Sequence, residues 1–230
     1  MTQTYNNNSL TFRDYLNRTF ALMAVGLAIS GLIAWGFSGI IVSVLSRIGI
    51  FGLILFCGAE LGLAFFFSMK LSTMSTTTAY ICYGIYAFMT GISLSSVVLA
   101  YEVGSIVFAL MTTAVLFACM SIIGHTTKVD ISRFSNLLWI GAITMVVVSL
   151  LNVFILRSAV VDLLMAYAGV IIFLAIIAYD MQRLRDMYNA GFSDPEMGEK
   201  MMIMGSFQLY LDFINLFIKI LQIFGRRKDD

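Results

Sequence analysis

Seven long apolar runs, separated by short polar segments, account for most of the chain. They cover residues 20–45, 48–69, 79–100, 105–124, 137–156, 163–178 and 201–224. A helix of about 20 apolar residues is long enough to cross the hydrocarbon core of a bilayer. The pattern therefore predicts an all-α, polytopic membrane protein built as a bundle of seven transmembrane helices.

The last apolar run carries a row of polar residues that all fall on one face of a helix. The row, here called the polar row, consists of Gln208, Asp212, Asn215, Lys219 and Gln222, spaced by four, three, four and three positions. That spacing confines them to a narrow arc of a helix. Because a carboxylate at membrane depth is costly unless it faces water or a partner, the row predicts that the seventh helix lies at the bundle centre.

Composition leaves no room for a separate soluble domain. The 230 residues are 60% hydrophobic and 12% charged, against roughly 25% charged in soluble domains. We expect one membrane domain over residues 1–230, made of a polar segment (1–19), the bundle (20–224) and a charged tail (225–230). The net charge of +1 without a basic stripe argues against a nucleic-acid partner. No phosphate-binding loop, metal-ligand cluster or nucleophile with a histidine partner is visible, so we expect neither an enzyme nor a cofactor.

Two further acids lie in or beside the apolar runs, and each has a purely structural alternative. Glu60 is at the centre of the second run, where it could be a neutral carboxyl bonded to a neighbouring helix. Asp180 follows the sixth run, where it could pair with Arg183 three residues later.

Contact between Asp180 and Asp212 is permitted by the sequence but not required. The midpoint of the two positions is residue 196, which lies in the segment joining the last two runs. However, a helix stop at 189–191 and a helix start at 193–196, with Pro195 first, move the centre of the hairpin to 192–193. Phe173 would then oppose Asp212, and the acids would be displaced by on the order of 10 Å. Contact would need a separate surface helix at 195–200 or an early end of the sixth helix.

Lysine and arginine counts give an orientation. One side carries eight basic residues, namely Arg13, Arg18, Lys70, Lys128, Arg133, Arg183, Arg185 and Lys200. The other side carries five, namely Arg47, Arg157, Arg226, Arg227 and Lys228. The positive-inside rule therefore places the N-terminus in the cytoplasm. A re-entrant last segment would return the basic tail to the cytoplasm, and the sequence leaves both topologies open.

Four stretches resemble the Bax inhibitor family, the transmembrane Bax-inhibitor-motif proteins. Residues 178–180 (AYD) and 209–217 (LYLDFINLF) resemble the paired motifs of that family. Residues 126–132 (TTKVDIS) resemble its loop after the fourth span, and residues 90–95 (TGISLS) resemble its third-span pattern. The match covers essentially the whole chain, whose length and charge are most similar to those of a bacterial inner-membrane member.

The resemblance implies a specific architecture and function. It implies six helices around a central seventh, and a pH-sensitive calcium leak in which Asp180 and Asp212 hydrogen-bond and govern opening. Glu60 stands where members commonly carry an acid, and Lys70 is the nearest candidate for a basic residue that reaches the pair in some homologues. Some bacterial members are associated instead with restraining a membrane-bound quality-control protease. That association gives the alternative of a non-conducting regulator of such a protease or of a stress response.

The leak mechanism also has a physical basis. Two carboxyls in hydrogen-bond reach share a proton, because they cannot both ionise cheaply. Loss of that proton makes them repel, which would open a path lined by Gln208, Asp212 and Asn215. Oxygen ligands suit calcium as a permeant ion held transiently near Asp212, without a tightly bound metal. Arg183 and Lys219 could offset part of the repulsion.

Two other functions are disfavoured. A proton-coupled carrier would be expected to show internal repeats and broken helices, and neither is visible. An intramembrane aspartyl protease also uses two aspartates, but residues 209–215 lack the glycine expected beside a catalytic aspartate.

Overall fold

Within the part of the chain that the structure describes, the protein is an all-α bundle with seven helical segments long and apolar enough to cross a membrane, of which the second is Phe51–Lys70 and the fifth is Ile131–Leu156. The structure, a computed structural model, describes residues 11–228 apart from the side chains of residues 45, 46 and 50. The rest of the predicted polar segment (1–10) and the end of the tail (229–230) lie outside the described residues. The helices are α1 (Phe12–Gly36), α2 (Ser38–Lys70), α3 (Thr76–Ala100), α4 (Val103–Thr126), α5 (Ser135–Leu151), α6 (Ala159–Ala190) and α7 (Pro195–Phe224). The predicted multi-pass membrane class is confirmed.

The first two helices divide the chain differently from the apolar runs. α1 begins at Phe12, inside the predicted polar segment, because the Thr11 side chain caps it by accepting a hydrogen bond from the Asp14 N–H at 3.2 Å. It ends at Gly36 rather than near residue 45. The residues that follow form the first part of α2, which kinks at Gly49, where φ is 66° and glycine is favoured. Hydropathy alone does not distinguish a helix end from a kink.

The seventh helix is the central one, as predicted. Of its most apolar stretch 61% is buried, against at most 39% in any other helix. It packs closely against α1, α3, α4 and α6. Among the surrounding helices, α2 packs mainly on α3 and reaches α7 through Phe67, whose ring centroid lies 4.7 Å from that of Phe207, and α5 packs mainly on α6.

The start of α1 marks one side of the bundle, here called the N-terminal side. Phe12 stacks on His125 at the end of α4, with ring centroids 5.1 Å apart. It also contacts Tyr188 near the end of α6 at 5.0 Å. The ends of α4 and α6 therefore lie on the same side as the beginning of α1.

The tail lies on the opposite side, here called the C-terminal side. The N–H of Glu102, in the α3–α4 connection, donates to the carbonyl of Arg226 at 3.0 Å. The N–H of Lys228 donates to the carbonyl of Ala100, also at 3.0 Å. These bonds surround an isolated antiparallel bridge between Tyr101 and Arg227. α7 therefore traverses the whole bundle, and the re-entrant alternative is wrong.

A glycine allows α4 to approach the backbone of α6 next to Asp180. A Cβ atom on Gly124 would lie 2.2 Å from the carbonyl oxygen of Ala178. No side chain larger than hydrogen fits there unless the two helices separate. Such close approach through small residues is a common way to pack membrane helices.

We expect Gly124→Ala to lower the free energy of unfolding by about 1–3 kcal/mol, because overpacking against backbone atoms forces the helices apart. Thermal unfolding in detergent would measure the loss. Gly58→Ala is the matched control, since a Cβ atom at Gly58 meets no atom within 4 Å. Equal stability of the two variants would contradict the proposed tight contact.

Candidate functional site

Two buried carboxyls meet between α6 and α7. Asp180 is 7% exposed and Asp212 is 6% exposed, and their side chains are hydrogen-bond partners. A hydrogen bond between two carboxyls requires a proton on one of them, since an ionised carboxylate only accepts. Among the described residues, no nitrogen or hydroxyl group donates to the buried Oδ2 atom of Asp212. The two acids, here called the aspartate pair, are therefore hydrogen-bond partners across the interface of α6 and α7.

The connection between α6 and α7 explains why the acids meet. The sequence analysis required either an early end of α6 or a separate surface helix at 195–200. Neither is found, because α6 continues to Ala190 and α7 is a single helix that begins at Pro195. Leu184 of α6 packs on Gly205 of α7. Leu184 lies six residues before the end of α6 (190 − 184), and Gly205 lies ten residues after the start of α7 (205 − 195). α7 therefore begins about four residues, or roughly 6 Å, beyond the end of α6.

Extended backbone in the connection produces this offset. Asp194 is extended, with φ −154° and ψ 165°, and Gly191 has a φ of 79° and a ψ of 164°. An extended residue advances the chain about 3.3 Å, more than twice the helical rise. The Asp194 carboxylate then accepts from the Met197 N–H at 2.7 Å, with Pro195 in the first helical position. The predicted start of α7 is confirmed, whereas the predicted displacement of the acids is wrong.

A pocket lies on the N-terminal side of the bundle, lined by residues of α6 and α7 that follow Asp180 and precede Asp212 in the sequence. Its volume is about 170 Å³, and residues of α2, α6 and α7 line it, together with the segment just after α2. Arg183 and Gln208 are its long polar side chains, and Arg183 interacts electrostatically with Asp180. Lys70 is exposed at the end of α2, and in the described part of the chain no ion pair joins it to either aspartate. The positive charge near the pair therefore comes from α6.

The polar row of α7 follows its interface with α6. Gln208 lines the pocket, Asp212 meets Asp180, and the stem of Lys219 crosses α6 at Gly169. Asn215 is partly buried between Asp212 and Lys219. The row thus runs from the N-terminal side to Gln222, which is exposed on the C-terminal side.

Lys219 was predicted to offset part of the repulsion within the aspartate pair, but its charge lies elsewhere. It is seven residues beyond Asp212 (219 − 212), or about 10 Å along the helix. Its Nζ atom donates to Oε1 of Gln222 at 3.2 Å, and Asp162 is the acid that interacts with it electrostatically. The sequence placed Lys219 on the correct face but could not show its partner.

Glu60 belongs to a second polar cluster, separate from the aspartate pair. Its carboxylate accepts from the hydroxyl of Thr90 at 2.9 Å and from that of Ser93 at 2.6 Å. Both hydroxyls belong to the 90–95 motif of α3, so Glu60 is bonded to the adjacent helix and not to the aspartate pair. Thr90 is also a hydrogen-bond partner of the buried Tyr210 of α7, whose hydroxyl lies 2.6 Å from that of Ser30.

Gln182 was missed by the sequence analysis and holds the α4–α5 connection against α6. Its Nε2 atom donates to the carbonyl of Val129 at 2.7 Å, and its Oε1 atom accepts from the N–H of Ile131 at 2.8 Å. Arg185 adds bonds to the carbonyls of His125 at 2.8 Å and Thr127 at 3.1 Å. The signal in the sequence was the 126–132 motif. Because this segment is not helical, its backbone N–H and C=O groups need hydrogen-bond partners from elsewhere, and polar side chains such as Gln182 could supply them.

Asp130 in the same motif shapes the connection rather than binding a ligand. It caps the turn at Ile131–Phe134 by accepting from the backbone N–H of Ser132 at 3.1 Å. Hydrogen bonding from the Ser132 side chain also lowers the pKa of this exposed carboxyl. Asp130 therefore stays ionised near neutral pH and keeps the turn that Gln182 binds.

Comparison with known proteins agrees with this architecture. The family described as "Inhibitor of apoptosis-promoting Bax1" matches residues 12–229. "Inner membrane protein YbhL" of Escherichia coli (strain K12) is 36% identical over 221 residues, covering 94% of this chain and 93% of the relative. An uncharacterized protein of Borreliella burgdorferi is 35% identical, with the same coverage. The uncharacterized protein RP147 of Rickettsia prowazekii is 33% identical over 94% of this chain and 91% of its own length.

We expect Gln182→Leu to loosen the α4–α5 connection, because the substitution leaves the Val129 carbonyl and the Ile131 N–H without their partner. Each lost hydrogen bond costs about 0.5–1.5 kcal/mol, so amide hydrogen exchange over residues 127–134 should accelerate. Gln222→Leu, at an exposed position of α7, is the control and should leave that exchange unchanged. Unaltered exchange in Gln182→Leu would show that other contacts hold the connection.

Proposed function

The chain belongs to the Bax inhibitor family, and from this premise we propose that it is a pH-sensitive cation leak of the membrane. Calcium is the proposed preferred ion, and the aspartate pair is the proposed gate. The observation that carries the proposal is the buried contact between Asp180 and Asp212 at the interface of two transmembrane helices. The protein acts as a conductor rather than as an enzyme.

The proposed gate opens when the pair loses its shared proton. With one proton, the two carboxyls hydrogen-bond and hold α6 against α7. Without it, two like charges stand together in a medium of low dielectric, where their repulsion is strong. Arg183 near Asp180 offsets part of that repulsion. Since the proton is lost as pH rises, flux should increase with pH.

The polar row supplies the proposed path. A cation enters through the pocket beside Gln208, passes Asp212 and Asn215, and leaves near Gln222. Side-chain oxygens suit a hard cation such as calcium, and their small number favours transient rather than tight binding. Among residues 11–228, no group of three His, Cys, Asp or Glu side chains is placed to hold a metal ion.

The proposed location is the inner, cytoplasmic membrane, with the N-terminal side in the cytoplasm. The first support is the name of the Escherichia coli relative, an inner membrane protein. The second is the excess of lysine and arginine on the N-terminal side. The pocket beside Arg183 would then face the cytoplasm, where proton concentration could control it.

We expect Asp212→Asn and Asp180→Asn each to lower calcium flux at high pH by about tenfold and to remove its pH dependence. An amide still hydrogen-bonds to the remaining carboxyl, but the repulsion between two charges is lost, and about 1.4 kcal/mol shifts an equilibrium tenfold. The measurement is calcium entry into liposomes containing purified protein, between pH 6 and pH 8.

Glu199→Gln is the matched control, because Glu199 is an exposed acid of α7 bonded to the Tyr80 hydroxyl at 3.0 Å, outside the path. It should keep the wild-type profile. A wild-type pH profile in both aspartate variants would refute the gate. No flux from any of these proteins, together with co-purification of a membrane protease, would favour the alternative role as a non-conducting regulator of that protease.

A further inference from the structure

Lys219 places a positive charge on the same row of residues that carries Asp212. We propose that this ammonium is an electrostatic barrier to cations at the C-terminal end of the polar row and limits the flux of divalent ions most strongly. The inference rests on the proposed cation leak and adds a second control point to it.

The stem of Lys219 is held at the α6–α7 interface. A Cβ atom on the buried Gly169 would lie 2.8 Å from Cγ of Lys219 and 2.9 Å from its Cδ atom. The same Cβ would lie 2.6 Å from Cε of Met145 on α5. The lysine stem therefore lies directly on α6 at the same place where Met145 of α5 packs, and its position is set by packing rather than by solvent.

Two polar groups accompany the ammonium on the C-terminal side. Gln222 accepts from Nζ at 3.2 Å. Asp162 of α6 interacts with the ammonium electrostatically, although no ion pair joins the two within the described part of the chain. Asp162 is itself bound by Nδ2 of Asn152 at 2.6 Å, so the α5–α6 turn fixes its position. The positive charge is therefore only partly neutralised.

A cation that follows the polar row would meet attraction at Asp212 and then repulsion at Lys219. Coulomb energy is proportional to the charge of the ion, so the barrier for a divalent cation is twice that for a monovalent one. Removing the charge should therefore increase calcium flux by about the square of its effect on potassium flux. A lysine that obstructed the path only by its size would reduce both fluxes, but the change in calcium flux would not follow the square of the change in potassium flux.

We expect Lys219→Met, which keeps the length of the stem, to raise potassium flux about threefold and calcium flux about tenfold in proteoliposomes. Lys219→Arg retains the charge and should keep the wild-type calcium-to-potassium ratio. Thermal unfolding of both variants would confirm that they are folded. Equal increases for the two ions, or no increase, would overturn the barrier.

Chemical modification tests the charge in one protein preparation. Lys219→Cys would be made in a chain whose native cysteines, Cys57, Cys82 and Cys119, are changed to serine. Reaction of this cysteine with aminoethyl methanethiosulfonate forms a mixed disulfide and releases methanesulfinate. The attached aminoethylthio group restores an ammonium and should lower calcium flux, whereas the sulfonatoethyl reagent adds a negative charge and should raise it. Identical effects of the two reagents would overturn the barrier.

The two proposals fail in different ways. If wild-type flux is pH-dependent and is lost in Asp212→Asn, but Lys219→Met keeps the wild-type ratio of ions, only the barrier is wrong. If neither the wild-type protein nor Lys219→Met conducts at any pH, the cation leak is wrong, and the barrier is wrong with it.

Discussion

Contact between two carboxyl groups in a low-dielectric interior is the constraint on which the rest of the structure depends. An isolated ionised carboxylate there would be strongly unfavourable, and two adjacent ones more so. A shared proton leaves only one charge on the two groups, and the hydrogen bond that it forms holds α6 against α7. The central position of α7 follows, because only a helix surrounded by others can turn a face with Asp212, Asn215 and Lys219 away from lipid.

Small residues on either side of α6 make that contact possible. Gly124 brings α4 onto the α6 backbone at Ala178, while Gly169 and Gly205 bring α7 against the other face. Packing at these three points brings α4 and α7 close to α6 near the aspartate pair.

The sequence predicted the elements but not the register between them. Hydropathy gave the membrane class, and the spacing of the polar row correctly gave the inward face of α7. The register of the last hairpin depends on the extended backbone at Asp194, and four residues of irregular chain carry no periodic signal. The backbone partners of Gln182 and the acid beside Lys219 were not predictable either, because they lie on elements distant in the chain.

The short bridge between Tyr101 and Arg227 determines how the bundle can deform. It ties the last turn of α7 to the α3–α4 connection, so axial sliding of α7 would break the backbone bonds at Glu102 and Lys228. α6 has no such restraint from the tail and begins at a turn where Arg157 adopts a left-handed conformation, with φ 49°. The tail therefore fixes α7 along its axis, whereas α6 is held by the α4 backbone at Ala178 and by the bonds of Gln182 and Arg185 to the α4–α5 connection.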